Sequence, residues 1–224
     1  MPNLSGDRFG RATYATLVEQ TVREMILDGT LPAGGRINEV ELAASLEVSR
    51  GSLREGLQRL SSEGLLQSKA HRGTFVKNYD DEDLKDLYSL RIALETWALR
   101  QMSDQRLGEL QDMLEATQVA LSGMDATYPS DRDFHRKLVS LAQSSAVTEA
   151  HESVLRRIQL ARLRSARVPA RAKAALQEHE RVLDALVANR TDDALRLLEE
   201  HLILSYRNAA SIMVVNDHAP TIDS

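Results

Sequence analysis

The 224-residue chain has no cysteine, which excludes disulfides and thiolate metal sites and leaves nitrogen and oxygen as the donors for any bound ion. No apolar run approaches the roughly 18 residues that a membrane-spanning helix requires, and the opening MPNLSGDRFGRAT lacks the hydrophobic stretch of a secretory signal. A cytoplasmic protein with no membrane partner is expected. Beyond Asp81 there is no convincing strand pattern. What is present is ordinary globular material, 42% hydrophobic and 27% charged, in a length that suits two domains each burying its own core.

The formal charge of −5 hides an asymmetry. Residues 1–79 hold ten Lys/Arg and nine Asp/Glu, whereas 80–224 hold eighteen and twenty-four. Within 45–77 the basic residues Arg50, Arg54, Arg59, Lys69, Arg72 and Lys77 outnumber the acidic ones six to three. Screening limits electrostatic attraction to about 8–10 Å, so this local patch matters more to an anionic partner than the whole-chain sum.

Helical spacing of Tyr14, Val18, Val22 and Met25/Ile26 predicts a first helix ended by Gly29 and Pro32. Asn38 is placed to cap a second, with Glu41 as capping-box partner and Leu42, Ala43 and Leu46 buried; it stops near Glu47. Ser49 caps a third, in which Leu53, Leu57 and Leu60 face the core, Arg50, Arg54 and Gln58 form a neighbouring stripe, and Gly64 ends the run. Leu65–Gln67 and Thr74–Val76 read as short strands around a basic turn, Ser68 to Gly73. Two helices, an arginine-bearing third and a hairpin form the order of a winged helix-turn-helix. The planar fork of arginine suits guanine or phosphate, and Arg50 and Arg54 lie at the end of the helix that enters the major groove.

Gly29, Pro32, Gly34, Leu42-Ala43, Val48-Ser49-Arg50, Arg54-Glu55, Leu57, Leu60, Glu63-Gly64-Leu65 and Arg72-Gly73 together resemble the DNA-binding domain of GntR-type bacterial regulators. The resemblance implies Ser49, Arg50 and Arg54 at the recognition helix and His71, Arg72 and Gly73 at the wing as DNA-contacting positions. The chain departs from the family pattern at Ala33, at Gly51-Ser52-Leu53, at Val40 where another arginine is frequent, and at Gly56 in place of alanine. A mid-helix glycine costs about 1 kcal/mol against alanine.

Six helices are expected in the second part, near 81–101, 105–122, 125–142, 146–165, 170–189 and 191–213, joined by short connections into an all-α antiparallel bundle. The predicted organisation is a flexible stretch over 1–11, a winged helix-turn-helix over 12–78, a helical effector-binding and dimerisation domain over 79–213 and a tail over 214–224. The fold class is mainly α.

Asp131 and His135 are four apart and share a stripe with Leu138 and Ala142. His179 lines up with Leu176, Leu183 and Leu186, and His201 with Leu197, Leu198, Leu204, Ser205 and Asn208. Three helices thus each offer a polar side chain from an apolar face. Such groups need partners: either each is a hydrogen-bonded core residue, or one divalent Zn²⁺, Ni²⁺ or Mn²⁺ ion satisfies all four. His151 also lies on an apolar stripe and is assigned no ligand role. Arg91 shares the inward stripe of Leu84, Leu87, Glu95 and Ala98, so it is either a structural partner of Glu95 or a clamp for a small carboxylate. Arg162 and Asn208 are further pocket candidates.

DRDFH at 131–135, Glu178-His179 and His201 resemble the metal-binding version of the FCD effector domain, the partner of the GntR reader in its FadR branch; six helices resemble its VanR-like subgroup. The resemblance implies Asp131, His135, His179 and His201 as ligands of one ion per chain, and the LRIALE segment implies that Arg91 faces the pocket. The expected protein is a repressor-type regulator reading a palindromic operator as a homodimer, its affinity altered by a small organic acid at the metal. Two alternatives remain: a regulator for which ion occupancy is itself the signal, and a metal-dependent hydrolase, for which no general acid or base stands nearby in sequence.

Overall fold

The computed structural model describes residues 13–102, 104–122, 131–162 and 169–217. The chain divides into two compact units, 1–78 and 79–224. The stretch expected to be flexible, 1–11, lies outside the described residues.

In the first unit α1 (Tyr14–Leu27) starts at Thr13, whose hydroxyl accepts from the Thr16 amide, and buries Ala15, Val18, Val22 and Ile26. At α2 (Glu39–Ser45) the Asn38 side chain accepts from the amides of Val40 and Glu41, so only the asparagine half of the expected capping box is present. Ser49 caps α3 (Arg50–Ser62), and Leu53, Leu57 and Leu60 are buried against α1.

Helix α3 ends in a Schellman motif. Gly64 takes φ +79, its amide bonds Ser61 O at 3.0 Å and the Leu65 amide bonds Leu60 O at 3.0 Å. Leu65 therefore belongs to the helix cap and not to the strand predicted to begin there. The hairpin runs one step later, β1 (Leu66–Lys69) against β2 (Gly73–Val76), with Leu66 opposite Val76 and Lys69 opposite Gly73. The basic turn shrinks to Ala70-His71-Arg72, with His71 at φ 58 and Gly73 at φ 97. On its other edge β2 is met by the loop before α2, through an Arg36–Phe75 bridge and a bond from Ile37 N to Thr74 O at 2.9 Å.

Gly56 has a steric reason. A Cβ there would lie 2.6 Å from Val18 Cγ1 and 3.0 Å from the Ala15 carbonyl oxygen. The glycine lets α1 and α3 approach, so the helix-propensity cost expected from the sequence is offset by packing.

The second unit comprises α4 (Asp81–Arg100), α5 (Asp104–Ser122), α6 (Asp131–Leu141), α7 (Ser145–Arg162), α8 (Pro169–Val187) and α9 (Thr191–Asp217). A reciprocal capping box holds the start of α4: the Asp83 amide donates to Asp80 Oδ1 at 2.8 Å and the Asp80 amide to Asp83 Oδ2 at 3.4 Å. Pro169 opens α8 at the one helical position where its missing amide costs nothing. The Arg190 amide bonds Ala185 O at 2.8 Å beyond Asn189, at φ 56, to close that helix. Helix α4 packs against α6, α7 and α9, which puts Arg91 and Glu95 in the interior. Among the described residues no helix is long and apolar enough to cross a membrane.

Two expectations are corrected here. Helix α9 continues to Asp217, so the helix expected over 191–213 runs four residues further. Leu204, placed on the inward stripe of His201, is 41% exposed; that stripe is narrower than its leucines suggest and closes on Leu198, Leu202, Ser205 and Ala209.

Candidate metal centre and nucleic-acid interface

In the first unit the start of α3 is built by Ser49. Its side chain accepts the Ser52 amide at 3.1 Å, leaving Arg50 exposed at the first helical position. Ser49 is thus occupied as a cap. Arg54 stands one turn on, 73% exposed, with its Nε donating to Glu39 Oε2 at 2.9 Å. The other Glu39 oxygen accepts the Thr74 hydroxyl at 3.3 Å. One carboxylate at the head of α2 therefore fixes an arginine of α3 and a residue of the wing. His71 and Arg72 are exposed at the turn of the hairpin, and a side chain at Gly73 would approach Arg36 Nε at 3.5 Å. Arg36 is thereby a further exposed cation beside the wing. Lys69 Nζ lies 5.0 Å from the Phe75 ring centroid, its charge over the aromatic face.

Arg59, counted in the basic patch of the sequence, does not join this surface as a solvated charge. Its Nη2 meets Glu55 at 2.5 Å, and its Nη1 meets Thr16 at 3.2 Å and Glu19 at 3.4 Å. Arg23 bridges Glu19 at 2.6 Å and Glu63 at 2.7 Å in the same network. The hydrogen bond from Arg23 holds the Glu19 carboxyl below its ordinary value. These ions tie α1 to α3.

In the second unit His135 of α6, His179 of α8 and His201 of α9 are all buried. Their Nε2 atoms form a nearly equilateral triangle: 3.1 Å between His135 and His201, 3.2 Å between His179 and His135, and 3.2 Å between His179 and His201. A hydrogen bond between ring nitrogens needs one to carry the proton and the other a lone pair. Three mutual neighbours cannot alternate, so at least one contact sets like against like.

The outer nitrogens decide which. His135 Nδ1 lies 2.6 Å from Glu95 Oε2, and His201 Nδ1 lies 2.6 Å from Glu178 Oε2. A carboxylate at Nδ1 places the proton there and leaves Nε2 as an inward lone pair. A cation accepts the lone pairs of His135 and His201 together, and that of His179 when its ring takes the same tautomer. The nitrogens are close enough together for one point at a zinc–nitrogen bond length of about 2.0–2.1 Å to serve all of them. Phe134 stacks on His179 at 4.0 Å between centroids and 8° between planes, which limits rotation of that ring. The residues present fit a divalent transition ion.

Glu95 is the hub of this interior. Its Oε1 accepts from Arg91 Nε at 2.7 Å and faces His151 Nε2 at 2.8 Å, while Oε2 faces His135. Burial pushes its carboxyl up, but the charge that His135 carries when its ring is doubly protonated, the charge of Arg91 and the hydrogen bonds from His135 and His151 outweigh that and hold it well below the usual range. It is a carboxylate. Arg91 thus makes the pair with Glu95, one of its two readings from sequence, and its guanidinium carbon lies 5.6 Å from the Tyr88 ring centroid. His151 meets the carboxylate and stands outside the Nε2 triangle. Asn208 is half-buried on α9. The side chains of Asp131, the first residue of α6, and of Arg162, the last of α7, lie outside the described residues.

A winged reader on one unit and a helical domain with a polar, histidine-rich interior on the other define a DNA-binding regulator of transcription. Residues 14–76 match the family of bacterial regulatory proteins called gntR, and residues 86–204 match the FCD domain. The chain belongs to the GntR family and carries an FCD domain. It is 32% identical over 208 residues to BphR, a helix-turn-helix regulator of Paraburkholderia xenovorans, spanning 85% of this chain and 84% of that protein. It is 40% identical over 134 residues to the Nta operon transcriptional regulator of Aminobacter aminovorans, spanning 58% of this chain and 64% of that protein. A GntR transcriptional regulator of Rhodococcus sp. RHA1 has a similar structure, with TM-score 0.71 and 26% identity over 89% of this chain and 99% of that one.

Proposed function

We propose that the helical domain of this regulator holds one divalent transition ion on His135, His179 and His201, and that a small carboxylate binding at or beside the ion changes its grip on operator DNA. The observation that carries the reading is the triangle of Nε2 atoms at 3.1–3.2 Å, which hydrogen bonding alone leaves mismatched and a shared cation satisfies. Asp131, four residues before His135 on α6, is the proposed oxygen ligand. Nitrogen with oxygen suits Zn²⁺, Ni²⁺ or Mn²⁺.

When bound, the ion supplies a Lewis-acidic point for an organic carboxylate. Glu95 and Glu178 orient the imidazoles from behind. Arg91, held one turn from Glu95, brings a positive charge into the same interior, and Arg162 and Asn208 complete the candidate effector set. Six described helices in this unit accord with the VanR-like group of the FadR branch. In the other unit Arg50 and Arg54 read the major groove while His71, Arg72 and Gly73 approach the duplex from the wing. Two heads on a homodimer reach a palindrome where one offers too few contacts. An effector with a hundredfold preference for one arrangement of the heads redistributes about 2.7 kcal/mol.

Operator affinity measured with metal saturating, across a panel of mono- and dicarboxylates, tests this. A change with one class of acid, matched by a rise in melting temperature with the same acid, is expected. No response to any acid, with a response to chelation, overturns the effector role and makes the ion itself the signal.

A further inference from the structure

The wing has two faces, and the fold covers one of them. Leu66, Thr74 and Val76 are buried, as is Ile37 of the loop that pairs with β2. Alternation along the strands puts Gln67, Lys69, Gly73 and Phe75 on the other face, and the bridge between Arg36 and Phe75 brings Arg36 to that same side. Arg36, Lys69 and Gly73 are exposed there, and Gln67 and Phe75 are half-buried. None of these residues is acidic.

The two cations stand around one bare position. Lys69 is the cross-strand partner of Gly73, and its ammonium rests 5.0 Å from the centroid of the Phe75 ring. From the other edge the Arg36 guanidinium reaches back to Gly73, where a Cβ would lie 3.5 Å from its Nε and 3.7 Å from its Nη2. With no side chain at Gly73, at φ 97, the backbone between the charges is open to close approach. The ion pairs of this unit occupy Arg23, Arg54 and Arg59, and among the described residues neither Arg36 nor Lys69 is paired with a carboxylate. Because Lys69 lies over the Phe75 ring, this face offers charge rather than an aromatic surface on which bases stack.

The buried face of the hairpin is the one turned to the core and α3. The outward face is therefore turned away from the base pairs that Arg50 and Arg54 reach, and the part of a duplex it meets is backbone beyond them. Uncompensated cations about a bare glycine suit phosphates, which fix position and carry no sequence.

We propose that Arg36 and Lys69 hold successive phosphates of one DNA strand, the backbone passing over Gly73, so that each head grips the flank of its operator without regard to the flank's sequence. The inference rests on the reader assigned to this unit above.

Two labelled duplexes carrying one selected binding sequence test it on the full-length protein. The short one is trimmed to the base pairs whose substitution changes affinity; the long one is extended at each end by about ten base pairs, one helical turn, of arbitrary sequence. The wild type is expected to bind the long duplex more tightly and with a steeper dependence on salt, by about 0.9 in logarithmic slope for each added phosphate contact. Arg36→Gln plus Lys69→Gln is expected to bind both duplexes alike, having lost about 0.9 of slope per cation per head on the long one. A wild type indifferent to the flanks, or a variant that keeps the preference, overturns the proposal. On a duplex of unrelated sequence the variant is expected to lose the same factor as on the long duplex, and a loss confined to the selected sequence overturns it too. Arg54→Ala separates this inference from the reading beneath it: both duplexes are expected to bind more weakly with the flank preference intact, and unchanged binding of both overturns the reader itself. Should the double variant not fold, as judged by circular dichroism, Arg36→Gln alone leaves Lys69 over Phe75 and is expected to give half the change in slope; no change overturns the proposal.

Discussion

His135 Nδ1 and Glu95 Oε2 stand 2.6 Å apart with both side chains fully buried, across 40 residues of sequence. That contact couples the inward-facing Nε2 of a candidate ligand to the one carboxylate that also receives Arg91 and His151.

Removing the carboxylate is therefore expected to act at two levels. Glu95→Gln keeps the shape and loses the charge that orients His135, and metal affinity is expected to fall about 10–100-fold. Glu95→Ala also removes the buried carboxylate that Arg91 and two histidines share, and breaking a buried pair of this kind costs about 3–5 kcal/mol. Metal titration reads the first effect and denaturant unfolding the second. An alanine variant as stable as the wild type contradicts the hub.

Gly56→Ala sets helix propensity against packing. Alanine gains about 1 kcal/mol in a helix interior, but its Cβ would lie 2.6 Å from Val18 Cγ1, and overpacking costs about 1–3 kcal/mol. The variant is expected to melt lower than the wild type. A higher melting temperature means that α1 and α3 have room to part.

Arg54→Ala removes an exposed cation whose ion pair with Glu39 is worth at most about 1 kcal/mol. Operator affinity at about 150 mM salt is expected to drop while unfolding free energy stays within about 0.5 kcal/mol. Glu39→Ala is expected to weaken operator binding without removing any cation, because Arg54 and Thr74 lose their common anchor. Fluorescence anisotropy with a labelled operator measures both, and unchanged affinity for Arg54→Ala takes that residue out of the reader.

Alkaline pH is expected to act on Tyr79. Its burial pushes the phenol up to about 12, above the ordinary value of about 10 in an unfolded chain. The folded state thus holds this proton more tightly. The stabilisation is fully present below pH about 10 and is lost as the pH rises towards about 12. Tyr79→Phe is expected to lose less stability over that window than the wild type, as read by unfolding at a series of pH values.

The local signals in the sequence and the tertiary ones fared differently. Asn38, Ser49, Gly64 and Pro169 punctuate helices by chemistry confined to three or four residues, and the elements fall within a step or two of where those residues put them. The stripes of His135, His179 and His201 were legible for the same reason: periodicity shows which way a helix faces. Periodicity does not show what stands opposite. Glu95 read as the i, i+4 partner of Arg91, yet its other contacts come from 40 and 56 residues away. Glu39 and Arg36 meet the wing only because a loop pairs with β2. Leu204 is a hydrophobic residue left exposed, and Arg59 a surface cation captured by Glu55 and Glu19, because the neighbouring helix decides burial and pairing, and hydropathy does not. Gly56 had a visible cost and no visible benefit until α1 was beside it.

The central claim is that three imidazoles share one ion. Elemental analysis after equilibrating the chelator-stripped protein with Zn²⁺, Ni²⁺ or Mn²⁺ in turn tests it most directly, on the wild type and on His179→Ala plus His201→Ala. One ion per chain in the wild type and none in a folded double variant is the predicted result; equal metal in both, or none in either, contradicts the site.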